Sequence, residues 1–341
     1  MVPQVGWGVG LVVLGGFLNG SFAFPMKRMP AWRWENSWLV YALVAMVTVP
    51  WIFTIATTPN WRSVCQQASW STLMKVMIFG FGWGVGSTLF GLGIRRVGMA
   101  LGFAIILGIT ASVGSLLPLV VLHPEQFWTR QGHALMLGLL LVISGVLLCS
   151  MAGRLREREA SAQAEDAGGR AFGLGLVICV LSGIFSAMLN FSFVFGKQLQ
   201  ELSLAYGARP TMAANLIWAL ALSAGFLANA AYCGYLLQTN HTWPLYVSHD
   251  AGGGYWLGAV LMGFVWFSGI AVYGMGGAML GTLGGILGWP LFMATIIIAG
   301  NLWGAVTGEW AGASRRSYAY SLAGIMVLML AIYVISLGST A

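Results

Sequence analysis

Asn19 and Asn190 each open the same short phrase, Asn-x-Ser-Phe-x-Phe followed by a lysine, once from Asn19 to Phe24 with Lys27 and again from Asn190 to Phe195 with Lys197. An amide inside an apolar stretch is costly unless it meets hydrogen-bonding partners or water, so both residues point to an interior polar surface. Trp83 and Trp266 are paired in the same way. Gly80-Phe81-x-Trp83-x-x-Gly86-x-x-x-Phe90-Gly91-x-Gly93 returns 183 positions on as Gly263-Phe264-x-Trp266-x-x-Gly269-x-x-x-Tyr273-Gly274-x-Gly276. The apolar runs hold further neutral donors, acceptors and indoles, among them Ser87, Thr110, Asn215, Asn229, Ser268 and Trp289. Such a set suits a neutral polyol, whose hydroxyls need amide and hydroxyl partners and whose C–H face needs a flat ring to lie on. The candidate binding residues are therefore Asn19, Trp83, Thr110, Asn190, Asn215, Trp266, Ser268 and Trp289. Each also has a plainer reading, since a membrane Ser or Thr commonly bonds its own helix and a Trp near a span end commonly anchors the interface.

Charge is the scarce commodity. The nine carboxylates, Glu35 and Glu309 among them, fall outside the apolar runs, which disfavours a cation pump built on a central intramembrane acid. There is no phosphate-binding G-x-x-x-x-G-K-[ST] and no catalytic carboxylate pair. Cys65, Cys149, Cys179 and Cys233 are scattered, offering neither a metal site nor a disulfide framework, and no cofactor is expected. Lys27 and Lys197 end the first apolar run of each half, where a lysine either snorkels to the interface or gates a path, Lys27 then facing Glu35 or Glu309. These four residues, Lys27, Glu35, Lys197 and Glu309, are the candidates for coupling or gating.

The elements that carry these residues follow from composition. Of the 341 residues, 58% are hydrophobic and 7% charged, too little polar surface to cover a water-soluble sphere. Ten runs of about twenty apolar residues, from 5–24 and 37–57 to 317–338, match the thickness of a bilayer core as helices. Their continuous apolarity favours helices over the alternating strands of a membrane barrel. The first lacks a basic leader and a small-residue cleavage pattern and reads as a retained helix. One long polar connector, residues 154–171, divides the chain into halves at 1–153 and 172–341 with five runs each. An odd number per half makes the second half enter the membrane from the opposite side, the arrangement of inverted repeats in alternating-access carriers. The net charge of +7 lies in short loops beside the runs, which fits a lipid bilayer and no nucleic acid. Eleven of the 16 Lys and Arg residues follow odd-numbered runs, so those loops are expected in the cytoplasm and both termini outside.

Several longer phrases are similar to a known family. Pro25-x-Lys27-x-x-x-x-Trp32-x-Trp34-Glu35-x-x-Trp38, Trp83-Gly84-x-Gly86-x-x-x-x-Gly91-Leu92, Gly98-Met99-x-x-Gly102-x-x-Ile105-x-x-Gly108-x-Thr110-x-x-x-Gly114, Gly183-Ile184-Phe185-Ser186-Ala187 and Glu309-Trp310-x-x-Ala313-x-Arg315-Arg316 together resemble the L-rhamnose/proton symporter family of the drug/metabolite transporter superfamily. The resemblance implies an all-α membrane protein of ten helices in two inverted five-helix repeats. It also implies uptake of a deoxy-sugar such as L-rhamnose with protons across a bacterial inner membrane. The competing expectations are an exporter or facilitator of another small neutral metabolite, which would share the fold, and a membrane enzyme or sensor, for which no catalytic constellation exists.

Overall fold

The computed structural model describes residues 2–97, 99–160, 169–248, 251–281, 284–308 and 310–339; for Lys27, Arg95 and some other residues it describes the backbone alone. Thirteen α-helices lie in order along the described chain: α1 Val2–Ser21, α2 Trp34–Leu43, α3 Val49–Thr57, α4 Trp61–Gln67, α5 Trp70–Val97, α6 Met99–Leu122, α7 Arg130–Ala160, α8 Gly169–Phe195, α9 Lys197–Ala205, α10 Asn215–Thr239, α11 Gly253–Met279, α12 Gly284–Val306 and α13 Arg315–Ser339. They make ten segments long and apolar enough to cross a membrane, one for each run read from the sequence. Helices α2 and α3 form one of these segments, the amphipathic α9 follows α8 within the Gly173–Ala205 segment, and the short α4 packs on α9.

Two boundaries differ from the hydropathy reading. The second span begins at Trp34, because Arg33 takes an extended cap conformation and the helix starts directly after it. That span also carries a π turn over Val44–Thr48, just before Pro50. Pro50 has no N–H to return to the preceding turn, and a wider turn there accommodates the missing bond. The second difference is the polar connector. Helix α7 continues through Arg154 to Ala160 and α8 begins at Gly169, so charged residues assigned to a loop extend a helix, and residues 161–168 lie outside the described residues.

Packing crosses between the halves. Helix α1 lies along α11 and against α12, α8 lies along α5 and against α6, α7 pairs with α13, and α10 packs on α5 and on the α2–α3 span. Glycines allow the close approaches. A Cβ added at Gly15 would sit 2.7 Å from the Gly269 carbonyl oxygen, one at Gly86 2.7 Å from the Ser186 nitrogen, and one at Gly84 2.3 Å from the Gly225 carbonyl oxygen. Small residues at such positions let backbones meet where lipid supplies no hydrophobic drive to associate. Because each span reverses direction, connections after odd-numbered spans gather at one end of the bundle, here the odd end, and the rest at the even end.

Candidate functional site

At mid-span the Trp83 and Trp266 rings stack, with centroids 5.4 Å apart and planes 30° apart. The amide of Asn19, near the end of α1, donates a 3.4 Å hydrogen bond to the Trp266 carbonyl. Tyr41 meets Trp266 edge-on at 6.2 Å, Phe22 stacks on Tyr41 at 5.0 Å, and Trp38 leans against both rings with Trp34 stacked on it at 4.8 Å. A polar rim accompanies the rings: Asn229 Oδ1 accepts from Trp38 Nε1 at 2.9 Å and from Ser87 Oγ at 3.0 Å. The glycines set this geometry. Gly225 gives Trp83 its seat, since a Cβ there would lie 3.0 Å from the indole, and the Gly15 to Gly269 approach holds α1 and Asn19 against α11. Trp83, Ser87, Trp38 and Phe22 all keep partial exposure. A groove of about 420 Å³ lined by Phe24, Arg28, Val306 and Thr307 opens at the odd end.

A second group lies toward the even end and is closed. Asn190 donates to the carbonyls of Gly114 at 2.9 Å and Gly285 at 2.8 Å, and accepts from the Tyr273 hydroxyl at 2.6 Å. Thr110 donates to Ile106 and Gly183 carbonyls, and its own carbonyl receives the Trp289 N–H at 3.0 Å. Around them Phe193 and Trp218 stack almost parallel at 5.1 Å, and Tyr273 touches Phe193, Trp218, Trp289 and Phe292. Every one of these five rings is buried. The structure thus joins Asn19, Trp83 and Trp266 in one group and Thr110, Asn190 and Trp289 in another. Asn215 stands apart, its amide bonded to Thr57 Oγ1 at 2.7 Å and its carbonyl accepting from Thr54. Ser268 is two residues beyond Trp266, hence about 200° round the helix from it.

Tyr41 and its pairing with Trp218 escape a reading based on polar letters. A signal for them exists: Leu39-Val40-Tyr41-Ala42-Leu43 is echoed by Leu216-Ile217-Trp218-Ala219-Leu220, an apolar phrase easily overlooked among apolar phrases.

A family described as "L-rhamnose-proton symport protein (RhaT)" matches residues 4–341. The chain belongs to this symport family. It is 29% identical over 334 residues to an L-rhamnose-proton symporter of Salmonella typhi and 29% identical over 334 residues to one of Escherichia coli. A third, from Klebsiella pneumoniae, is 29% identical over 342 residues. Each alignment covers 96% of both chains. The family is one of multi-pass membrane transporters, not enzymes.

In this member of the symport family a buried carboxylate does enter a span. Glu35 lies in the first turn of α2 and is 4% exposed, which corrects the expectation that all acids stay outside the apolar segments. Two causes permit it. The N-terminal end of a helix favours negative charge, and Glu35 Oε1 accepts hydrogen bonds from Asn240 Nδ2 at 2.9 Å and Thr242 Oγ1 at 3.0 Å. The same junction ties Asn36 Nδ2 to the Thr242 carbonyl at 2.9 Å, Tyr246 OH to the Asn36 carbonyl at 3.1 Å and Trp32 Nε1 to the Leu245 carbonyl at 3.1 Å. Burial, with Cys233 and Glu35 nearby, pushes the Tyr246 phenol up to about 12. Lys197 is an exposed residue 3.8 Å from Glu201 one turn on, a surface pair of little energetic weight. The Lys27 side chain and Glu309 lie outside the described residues.

Proposed function

We propose that the chain is a secondary active transporter that imports a neutral deoxy-sugar, L-rhamnose, together with protons across a bacterial inner membrane. The carrying observation is the match to a sugar-proton symport family over residues 4–341. The centre of the bundle is chemically suited to that cargo: Trp83 and Trp266 present flat faces for a sugar's C–H side, while Asn19, Ser87 and Asn229 offer hydrogen-bonding groups at their rim.

The working device is two inverted five-helix repeats, 1–153 and 172–341, joined by the connector at 154–171. Equivalent small residues meeting in equivalent ways support this. Gly15 approaches Gly269 as Ser186 approaches Gly86, and Gly8 approaches Gly276 as Cys179 approaches Gly93. The excess of Lys and Arg after odd-numbered spans supports a cytoplasmic odd end and termini on the periplasmic side. A proton moving through 100 mV releases roughly 2.3 kcal/mol, enough for about fifty-fold accumulation of sugar at one proton each. Glu35 is the carboxylate best placed to carry that proton, because it lies buried at a junction between the first and second halves.

Purified protein in sealed liposomes, given an inward proton gradient, should accumulate labelled L-rhamnose above the bath concentration and release it when a protonophore is added. Uptake that only equilibrates, with or without the gradient, overturns coupling. Accumulation of other sugars but not L-rhamnose overturns the cargo.

A further inference from the structure

The repeat places four aromatic residues of the first half opposite four of the second. Phe22 corresponds to Phe193 in the Asn-x-Ser-Phe phrase, Tyr41 to Trp218 in the Leu-Val/Ile-aromatic-Ala-Leu phrase and Phe90 to Tyr273 in the Gly-Phe-x-Trp phrase. Phe103 corresponds to Trp289, since Leu101-Gly102-Phe103 is echoed by Leu287-Gly288-Trp289. Both copies keep the same two ring contacts. Phe22 stacks on Tyr41 at 5.0 Å as Phe193 stacks on Trp218 at 5.1 Å. Phe90 meets Phe103 edge-on at 5.1 Å and 73°, as Tyr273 meets Trp289 at 5.8 Å and 67°.

The copies differ in how these contacts join. At the even end Tyr273 ties the two pairs into one plug, 5.6 Å from Phe193 and 6.1 Å from Trp218. Among the described residues no ring contact joins Phe90 to Phe22 or Tyr41. Burial follows the same line in three of the four pairs: Phe193, Tyr273 and Trp289 are at most 5% exposed, whereas Phe22 and Phe90 are partly exposed and Phe103 is 36% exposed; Tyr41, at 2%, is buried like its counterpart Trp218. The asparagines repeat the asymmetry. Asn190 makes three bonds no longer than 2.9 Å, one of them with Tyr273, while among the described residues its counterpart Asn19 makes one of 3.4 Å.

We propose that Phe90 and Phe103 are the moving half of a second aromatic gate at the odd end, which closes onto Phe22 and Tyr41 as Tyr273 and Trp289 withdraw from Phe193 and Trp218. The structure is then the state sealed at the even end. Two further observations support the exchange. Among the described residues Trp218 Nε1 is a buried donor with no acceptor, packed against Gly274, so the plug carries a desolvation cost that opening relieves. Gly91, beside Phe90, has no described atom within 4 Å of an added Cβ, so this face of α5 is unpacked next to Phe90. The proposal rests on the inverted-repeat reading above and not on the identity of the sugar.

Cysteine pairs test it in a background where Cys65, Cys149, Cys179 and Cys233 are replaced by Ser. In liposomes, Phe193→Cys with Tyr273→Cys should be joined readily by a short bifunctional maleimide, and Phe22→Cys with Phe90→Cys in a minor fraction. Adding Tyr273→Ala to the second pair removes ring contacts that hold the even end shut, and should raise that pair's cross-linking yield about fivefold. If Tyr273→Ala does not fold, Tyr273→Phe, which removes only the bond to Asn190, is read instead and should raise the yield by a smaller but measurable factor. A Phe22–Phe90 yield no higher than that of Phe22→Cys with Trp70→Cys, and unmoved by the Tyr273 change, overturns the gate. Cross-linking needs no sugar, so failure to accumulate L-rhamnose would leave this result standing.

Discussion

Trp83 and Trp266 occupy equivalent positions of the two halves and lie ring against ring at 5.4 Å. Under the inverted-repeat arrangement proposed above, a residue and its own repeat counterpart touch only near the axis that relates the halves, which would put this pair at the centre of the bundle. A binding surface there is available to a path from either end without being rebuilt.

Trp83 is the more exposed of the two rings, and Trp83→Ala should weaken sugar binding about tenfold while Trp83→Phe keeps most of it, read from the concentration dependence of initial uptake. Trp266, at 6% exposure, is also part of the core. Trp266→Ala should therefore lower the unfolding temperature as well, with a loss of about 3–5 kcal/mol typical of large-to-small changes in packed sites. Unchanged half-saturation in both variants would move the sugar elsewhere.

The two asparagines should separate stability from transport. Asn190→Ala strands the Gly114 and Gly285 carbonyls and the Tyr273 hydroxyl, and a buried polar group left without a partner costs about 1–3 kcal/mol. Asn19→Ala removes a single long bond and should leave the thermal midpoint nearly unchanged while reducing uptake. Equal destabilisation by the two would mean that Asn19 is a structural lock as well.

Glu35→Gln keeps the size of the side chain at the α2 junction but cannot carry a proton in exchange for charge. Sugar should still equilibrate across the membrane, and the accumulation of about fifty-fold available at 100 mV should vanish. Intact accumulation in this variant removes Glu35 from coupling and leaves Glu309 to be tested by the same change.

Tyr246 supplies a pH dependence whose sign is fixed. Its phenol titrates at about 12 in the folded protein against 10.0 ordinarily, chiefly because burial penalises the phenolate. The folded state therefore holds this proton more tightly. The associated stability is complete below pH 10 and is lost as the pH rises from there toward about 12. Tyr246→Phe should flatten that alkaline fall in unfolding temperature, while lowering stability near neutrality through loss of its bond to the Asn36 carbonyl.

Close backbone contact predicts a contrast between glycines of one helix. A Cβ at Gly80 would lie 2.1 Å from the Ala221 carbonyl oxygen, so Gly80→Ala must push α5 and α10 apart, at a cost of about 1–3 kcal/mol. Gly91 faces open space, and Gly91→Ala should be neutral or slightly stabilising. Thermal unfolding of the two purified variants decides.

The spans were legible because a bilayer imposes one length on every helix, and the hydropathy of the ten segments announces it directly. Trp83, Trp266 and the asparagines were legible as scarce letters repeated at fixed offsets. What those letters could not convey was the state of the machine. Asn190 and Asn19 read identically in sequence, yet among the described residues one is bonded to Gly114, Gly285 and Tyr273 and the other only to the Trp266 carbonyl at 3.4 Å. Glu35 was placed outside the membrane because hydropathy averages over a window, whereas the start of α2 is set locally by the extended backbone of Arg33.

The glycine seams join α1 to α11 and α5 to α8, each uniting a helix from one half of the chain with a helix from the other. Neither half, expressed by itself, has anything to cover its bare backbone ridges. Fragments 1–160 and 169–341 should each be degraded or insoluble when made singly and become a working carrier when made together. On the inverted-repeat reading proposed above, a single half would need a second one inserted in the opposing direction to bury its seam.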